Sequence, residues 1–505
     1  MNHLRLGILT SHPIQYYAPW FRQLAQQVDL QVFFAHRQDA TGQAAAGFGV
    51  KFEWDVPLTE GYPHRWLKNV SVHPGLGSFG GCDTPEIYDI VAGKLKAEMQ
   101  KPKAETSDSQ KSDFSFQLST FSVSPFDAFL IMGWNRKSYV QAIRACRRNR
   151  IPVLMRGDSQ LNTPRSRLTT LVKYLPYRWI LPRLDGHLYV GQRNREYLRH
   201  YGVPESRLFF TPHFVDNEWF GARAEEVRAS PLRLDRGESD ATLAHRISFS
   251  ASDGEKVAKP DEVFPGSGAG QGVRALGDVS NPSPNSQLPS PVSALRKQWG
   301  AEEGDLVALF VGKFIPKKRP ADLLRALAVF QSQSGRADLP VGPDARQRVP
   351  TMLAVVVGAG EMENELRAFA ARENVRAHFA GFKNQTELPQ YYAGADVLVL
   401  PSDGGETWGL VVNEAMACGL PAVVSDAAGC APDMIEEGLT GFTYPMADVN
   451  ALADRLVRVR QALKENPARL REAVRRKATA YSMERATAGL LQACDAVLAR
   501  RPECV

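Results

Sequence analysis

Residues Ala395–Asp426 read ADVLVLPSDGGETWGLVVNEAMACGLPAVVSD. Val397–Leu400 is a short apolar run suited to a strand buried on both faces, and Ser402–Glu406 is a polar, glycine-rich loop. A helix follows. It stops at Gly419, which takes a left-handed C′ conformation readily, and Pro421 cannot continue it. Ala422–Val424 then reads as a second strand. Glu406 and Glu414 have seven residues between them, about two turns at ~3.6 residues per turn. The amides of Thr407, Trp408, Gly409 and Leu410 are expected to open the helix without intrahelical partners. Unpaired N–H groups at the positive end of a helix dipole make an anion site, and phosphate is the usual guest. A diphosphate between two carboxylates implies a nucleotide-sugar, with one Glu for ribose hydroxyls and the other for sugar hydroxyls. The competing reading is a pair of solvated carboxylates on an ordinary βα unit.

With the GGE loop before, the WGL turn between and the EAMACGLP run after, the segment resembles the E-x7-E signature of the retaining glycosyltransferases of family 4. The resemblance implies the GT-B fold, an α/β architecture of two Rossmann-like, doubly wound domains facing a cleft. It also implies that Glu414 binds the donor ribose, that Glu406 contacts the donor sugar, and that Gly405 and the amides of residues 407–410 hold the diphosphate. A second segment fits the same picture. The apolar run Leu306–Val311 (LVALFV) is followed by Gly312, Lys313 and Lys318, then by Pro320 and the periodic ADLLRALAVF of a helix. Two cations at a strand end, facing the amides, would neutralise a leaving diphosphate. The family places an Arg and a Lys there, so Lys313 exchanges a bidentate fork for a point charge. Lys317 and Arg319 read as solvated. Glu406, Lys318 and Lys313 are thus the expected catalytic set.

Leu353–Leu366 is another strand, Gly turn and helix. Its Gly358-x-Gly360 is not a dinucleotide fingerprint, because Glu363 stands where the third Gly belongs. By the resemblance, Gly381, Phe382 and Lys383 line the nucleobase, read mainly through backbone groups.

The chain has 505 residues, enough for two or three domains, with 44% hydrophobic and 23% charged residues, ordinary for a globular protein. Six cysteines are scattered without metal-ligand spacing, so reduced thiols in a cytoplasmic compartment are expected. The first residues, MNHLRLGILT, read as a strand and not as a signal peptide. The net charge of +6 is unevenly spread. Between Arg136 and Arg199 a dense series of Arg and Lys is met only by Asp158, Asp185 and Glu196. Within it, residues 166–184 mix Leu, Tyr and Trp with cations. That suits peripheral contact with an anionic membrane, or a pair of core helices with a basic face, broken at Pro176 and Pro182. Basic residues beside aromatics also suit nucleic acid, but no recognition motif of that class occurs and none is expected to bind.

Strand-like runs at 4–10, 30–36, 127–133, 151–157 and 186–191 alternate with helical stretches, as in a doubly wound domain. The expected division is an acceptor domain at 1–215 with an insertion near 92–125, and a low-complexity linker at 216–295. A donor domain at 296–480 carries an insertion near 332–350, and a helix at 481–505 returns to the first domain. Two departures from the family stand out. The loop after the first strand, Ser11–Phe21, has no Gly, and a central first-domain strand ends in Arg156-Gly157-Asp158 where a His is frequent. His12, Arg156 and Asp158 are therefore acceptor-side candidates. No Asp-x-Asp occurs, so neither metal nor cofactor is expected. The sequence points to a hexosyltransferase moving a sugar from a nucleoside diphosphate-sugar to a glycan or lipid-linked acceptor of the cell surface. The alternatives are a nucleotide-sugar epimerase of the same fold and a non-catalytic nucleotide-sugar- or glycan-binding scaffold.

Overall fold

A computed structural model describes residues 4–44, 49–94, 125–229, 290–334 and 351–500. It contains two wholly parallel sheets. The first is built from β1 (Arg5–Thr10), β2 (Asp29–Phe34), β3 (His64–Trp66), β4 (Ala128–Ile131), β5 (Val153–Gly157), β6 (Gly186–Tyr189) and β7 (Leu208–Phe210), in the order β3-β2-β1-β4-β5-β6-β7. The second is built from β8 (Leu306–Val311), β9 (Met352–Val357), β10 (Ala377–Gly381), β11 (Val397–Leu400), β12 (Ala422–Ser425) and β13 (Gly441–Tyr444), in the order β10-β9-β8-β11-β12-β13. The strand order reverses beside β1 in one sheet and beside β8 in the other. In open α/β sheets these reversals leave a crevice at the carboxyl ends of the strands.

All six residues of β8 are buried because both faces of its sheet are covered. Val307, Leu309 and Val311 enter one core with Val412, Ala415 and Met416. Leu306, Ala308 and Phe310 enter the other with Leu323, Leu324 and Leu327. The strand period of two thus serves two helical layers. The first sheet is covered likewise, and the helix Met483–Leu498 supplies Ala486, Leu490 and Ala493 to the core under Leu6 and Ile8.

Three local readings change. The helix after β11 begins at Leu410, so Thr407 and Trp408 precede it as loop. Gly409 caps it at φ 116°, where a side chain would be strained and would also strike Leu400. Of the 216–295 stretch, residues 217–229 form a helix that buries Phe220 and Ala224 in the second domain's core, and Pro291–Gln298 forms another. The remaining 230–289, with most of the insertions expected at 92–125 and 332–350, lies outside the described residues. Finally, the helix Arg167–Ile180 runs through Pro176 and buries none of its side chains fully, so it is not a core helix.

Candidate active site

An open cleft lies where the two strand-order reversals meet. Gln15, Tyr16 and Trp54 of the first domain line it, opposite Gly312, Lys313, Lys318, Phe382, Lys383 and Glu414 of the second. β8 ends at Val311 and delivers Lys313, and a short turn, Pro316–Lys318, brings Lys318 round. β11 ends at Leu400 and delivers the loop to Glu406. Because β8 and β11 are neighbours, the Lys318 ammonium and Glu406 Oε2 form an ion pair. Ser402 Oγ donates to the same oxygen at 3.4 Å. Lys317 points to solvent, and its carbonyl accepts from the Asp403 amide at 2.9 Å. Arg319 adopts a left-handed turn conformation and pairs with Asp322 at 2.7 Å.

Lys313 is the second cation. Burial, and then the like charges of Lys318 and Lys317, pull its pKa down to about 8. Glu414 is buried on the Leu410–Ala417 helix. Its Oε1 accepts from Tyr16 Oη at 2.6 Å and its Oε2 from Tyr392 Oη. Burial pushes its carboxyl up to about 7, against the opposing pull of the two hydroxyls and Lys318.

The remaining candidates divide. The amides of Gly405 and Glu406 are committed inside their loop, to Asp403 Oδ1 at 2.7 Å and Asp403 O at 3.0 Å. Gly409, Leu410 and Val411 head the helix before its first bond, from Val412 N to Gly409 O at 2.9 Å. Trp408 turns its ring away from the cleft, with Nε1 donating to Asn413 Oδ1 at 2.8 Å. Gly381 accepts from the Gly358 amide at 2.9 Å, and Lys383 pairs with Glu387 at 3.0 Å. Asp158 crosses to the second domain, where its Oδ2 accepts from Thr407 Oγ1 at 2.6 Å. Arg156 does not line the cleft. It is 2% exposed, donates to Tyr17 Oη and Pro212 O, and lies over the rings of Tyr17, Trp20 and Phe214. His12 stands past β1 beside Arg136 and His36, outside the cleft wall, and burial lowers its pKa to about 4.

Several residues of this site escaped the sequence reading. Gln160 Nε2 donates to the carbonyls of Gly404 at 3.0 Å and Glu406 at 2.9 Å, tying the loop after β5 to the loop after β11. Residues 52–55 reach across the cleft: Phe52 packs on Phe382 with centroids 4.4 Å apart, and Asn384 Nδ2 donates to Glu53 O at 2.7 Å. Tyr16 and Tyr392 stand in segments singled out for other reasons; residues 52–55 carry no motif.

Residues 292–480 match the family model described as glycosyl transferases group 1. The second domain belongs to that family. Among curated relatives, the D-inositol 3-phosphate glycosyltransferase of Streptomyces coelicolor is 31% identical over 41% of this chain and 45% of its own length. A GDP-mannose-dependent alpha-(1-6)-phosphatidylinositol monomannoside mannosyltransferase of Mycolicibacterium smegmatis is 26% identical over 48% of this chain and 66% of its own. The match therefore spans about half to two thirds of these relatives. Beyond the group 1 domain, the fold likeness extends over nearly the whole chain. The Anabaena HepE structure with UDP and glucose superposes with a TM-score of 0.55 at 15% identity, covering 97% of this chain and 99% of that one.

Proposed function

We propose that the chain is a retaining, metal-independent glycosyltransferase of the family 4 kind, moving a hexose from a nucleoside diphosphate-sugar to a glycan or lipid-linked acceptor in cell-surface polysaccharide or glycolipid synthesis. The observation that carries this reading is the meeting of Lys313, Lys318, Glu406 and Glu414 at the carboxyl ends of the central strands β8 and β11, beside the head of the Leu410–Ala417 helix. The ammonium groups and the amides of Gly409, Leu410 and Val411 would take the diphosphate, and Glu414 the ribose. Phe382, with Phe52 and Trp54 opposite, would enclose the base. Charge on the diphosphate grows as the C1–O bond breaks, so groups fixed around it bind the transition state more tightly than the donor. The acceptor hydroxyl then bonds to C1 on the face the diphosphate leaves. Its proton passes to the departing phosphate oxygen, and the sugar keeps its anomeric configuration. Glu406, paired with Lys318, would orient the sugar hydroxyls. The two lysines supply the positive charge that a divalent ion supplies elsewhere.

The test is nucleotide release from UDP-, GDP- and ADP-sugars, GDP-mannose included, with a mixed glycan and glycolipid acceptor pool in EDTA. Product of unchanged anomeric configuration is expected. Activity that appears only on adding Mn²⁺ would refute metal independence, and a new free sugar without acceptor would identify an epimerase.

A further inference from the structure

The helix Arg167–Ile180 is attached to the first domain by one side only. Tyr177 packs on Trp134 with ring centroids 4.0 Å apart, and Tyr174 and Tyr177 both pack on Tyr201. On the opposite side, Leu168, Leu171 and Leu175 expose 71%, 72% and 73% of their surface, joined by Val172 and Trp179. At ~100° per residue these five positions fall within an arc of about 100°, the stripe of an amphipathic helix. Here the stripe faces outward. Arg167 and Arg178 lie along one flank, and no acid occurs between Asp158 and Asp185. The first domain carries a second exposed apolar patch. Val72 is 88% exposed and Phe79 55%, on a loop whose Leu76 carbonyl accepts from Arg136 at 2.6 Å, two residues from the Trp134 that holds Tyr177.

We infer that this face docks on an anionic phospholipid bilayer, with the helix lying in the plane of the interface. A bilayer offers the two layers this surface needs, acyl chains for the leucine stripe and anionic headgroups for the flanking cations. Trp179, with the Arg183 guanidinium 4.5 Å from its ring centroid, has the amphipathic character that favours the headgroup level. The helix has 14 residues, too few to span, and no described helix is long and apolar enough to cross a membrane. Leaving so large an apolar stripe in water is uncommon without a partner. The docked helix follows directly on the loop that carries Asp158 and Gln160 to the loop after β11. Bilayer contact would therefore bring a lipid-linked acceptor to the mouth of the cleft, a consequence that rests on the proposed transferase reading. The docking itself does not.

The experiment is flotation of the full chain, without donor, with vesicles of phosphatidylcholine alone or mixed with phosphatidylglycerol, alongside size-exclusion chromatography. Binding to the mixed vesicles, weakened by salt, is expected. The double variant Leu171→Glu/Leu175→Glu should lose about tenfold or more of that binding. Its melting temperature should hold, since these side chains bury nothing. Absence of flotation at low salt, or binding undiminished in the double variant, would overturn the inference. So would a wild-type dimer that the double variant dissociates, which would assign the stripe to a second copy of the chain. Because no transfer is measured, failure here leaves the proposed activity untouched, and a failed donor screen leaves this result standing.

Discussion

The hydroxyl of Tyr16, on the loop after β1, donates to Oε1 of Glu414 at 2.6 Å, so a carboxylate buried in the second domain is held by a side chain of the first. A carboxyl kept from water between two phenols titrates high, and Glu414 does so at about 7. Between about pH 4.5 and that value the folded chain keeps a proton that the unfolded chain releases. The stabilising contribution is therefore full below about pH 4.5 and lost as pH rises through 7. Glu414→Gln keeps an acceptor and removes the titration. Its stability should match the wild type at pH 4.5 and exceed it by about 1–3 kcal/mol at pH 8. Thermal unfolding at the two pH values checks this, and parallel pH dependences would refute it. Donor binding should move the other way, because a lost charged hydrogen bond is worth roughly 1.5–3 kcal/mol.

On the proposed reading, the same carboxylate and Lys313 should set the pH window for catalysis. Ribose hydroxyls bond more strongly to the carboxylate, present above about pH 7, while the Lys313 ammonium is present below about pH 8. The kcat/KM profile of the free enzyme should therefore be a narrow bell with limbs near those two values. Lys313→Arg should erase the alkaline limb, since a guanidinium does not titrate there. An unchanged alkaline limb in that variant would assign it to another group.

What the sequence disclosed follows from which interactions are local. The unit Ala395–Asp426 carries its own strand, loop, helix stop and second strand, and β11 and β12 form where the apolar runs lie. β8 was equally legible as a run buried on both faces. The helix start was misplaced by about a turn because Thr407 is held by Asp158 of the other domain and Glu406 O accepts from the distant Gly429 amide, neither a neighbour in sequence. Arg156 failed as a cleft candidate for a similar reason. The rings beneath it come from β1's following helix and from Phe214, which no pattern near Arg156 announces. The residues that close the cleft, Tyr16, residues 52–55 and Gln160, come from loops whose meaning exists only once two domains face each other.

Adjacent lysines should behave differently. Lys318 is 17% exposed and paired with Glu406, whereas Lys317 is turned to solvent. Lys318→Ala should lower kcat by about a hundredfold, the scale of losing one directed transition-state contact. Lys317→Ala should stay within about twofold, as surface charges usually do. Steady-state kinetics with the donor found by screening decides, and equal losses would indicate a diffuse basic patch.

The helices Asn217–Ala229 and Pro291–Gln298 pack against each other and into the core of the second domain through Phe220, Ala224 and Leu295. That sets where the chain can be cut. Residues 230–289 are rich in Ser, Gly, Pro and charge, a composition from which little stability is expected. Replacing 230–289 with a short flexible linker should leave the melting temperature and donor binding in place. Turnover is the quantity expected to shift, because the hinge of a two-domain enzyme lies at such a junction and closure gates the chemistry. Extending the excision to 222–291 removes Ala224 and half of a packed helix, and should lower the melting temperature by about 5 °C or more. Calorimetry on the two deletions separates the cases. If the shorter deletion melted as early as the longer one, residues 230–289 would be packed on the body, and the compositional argument would fail.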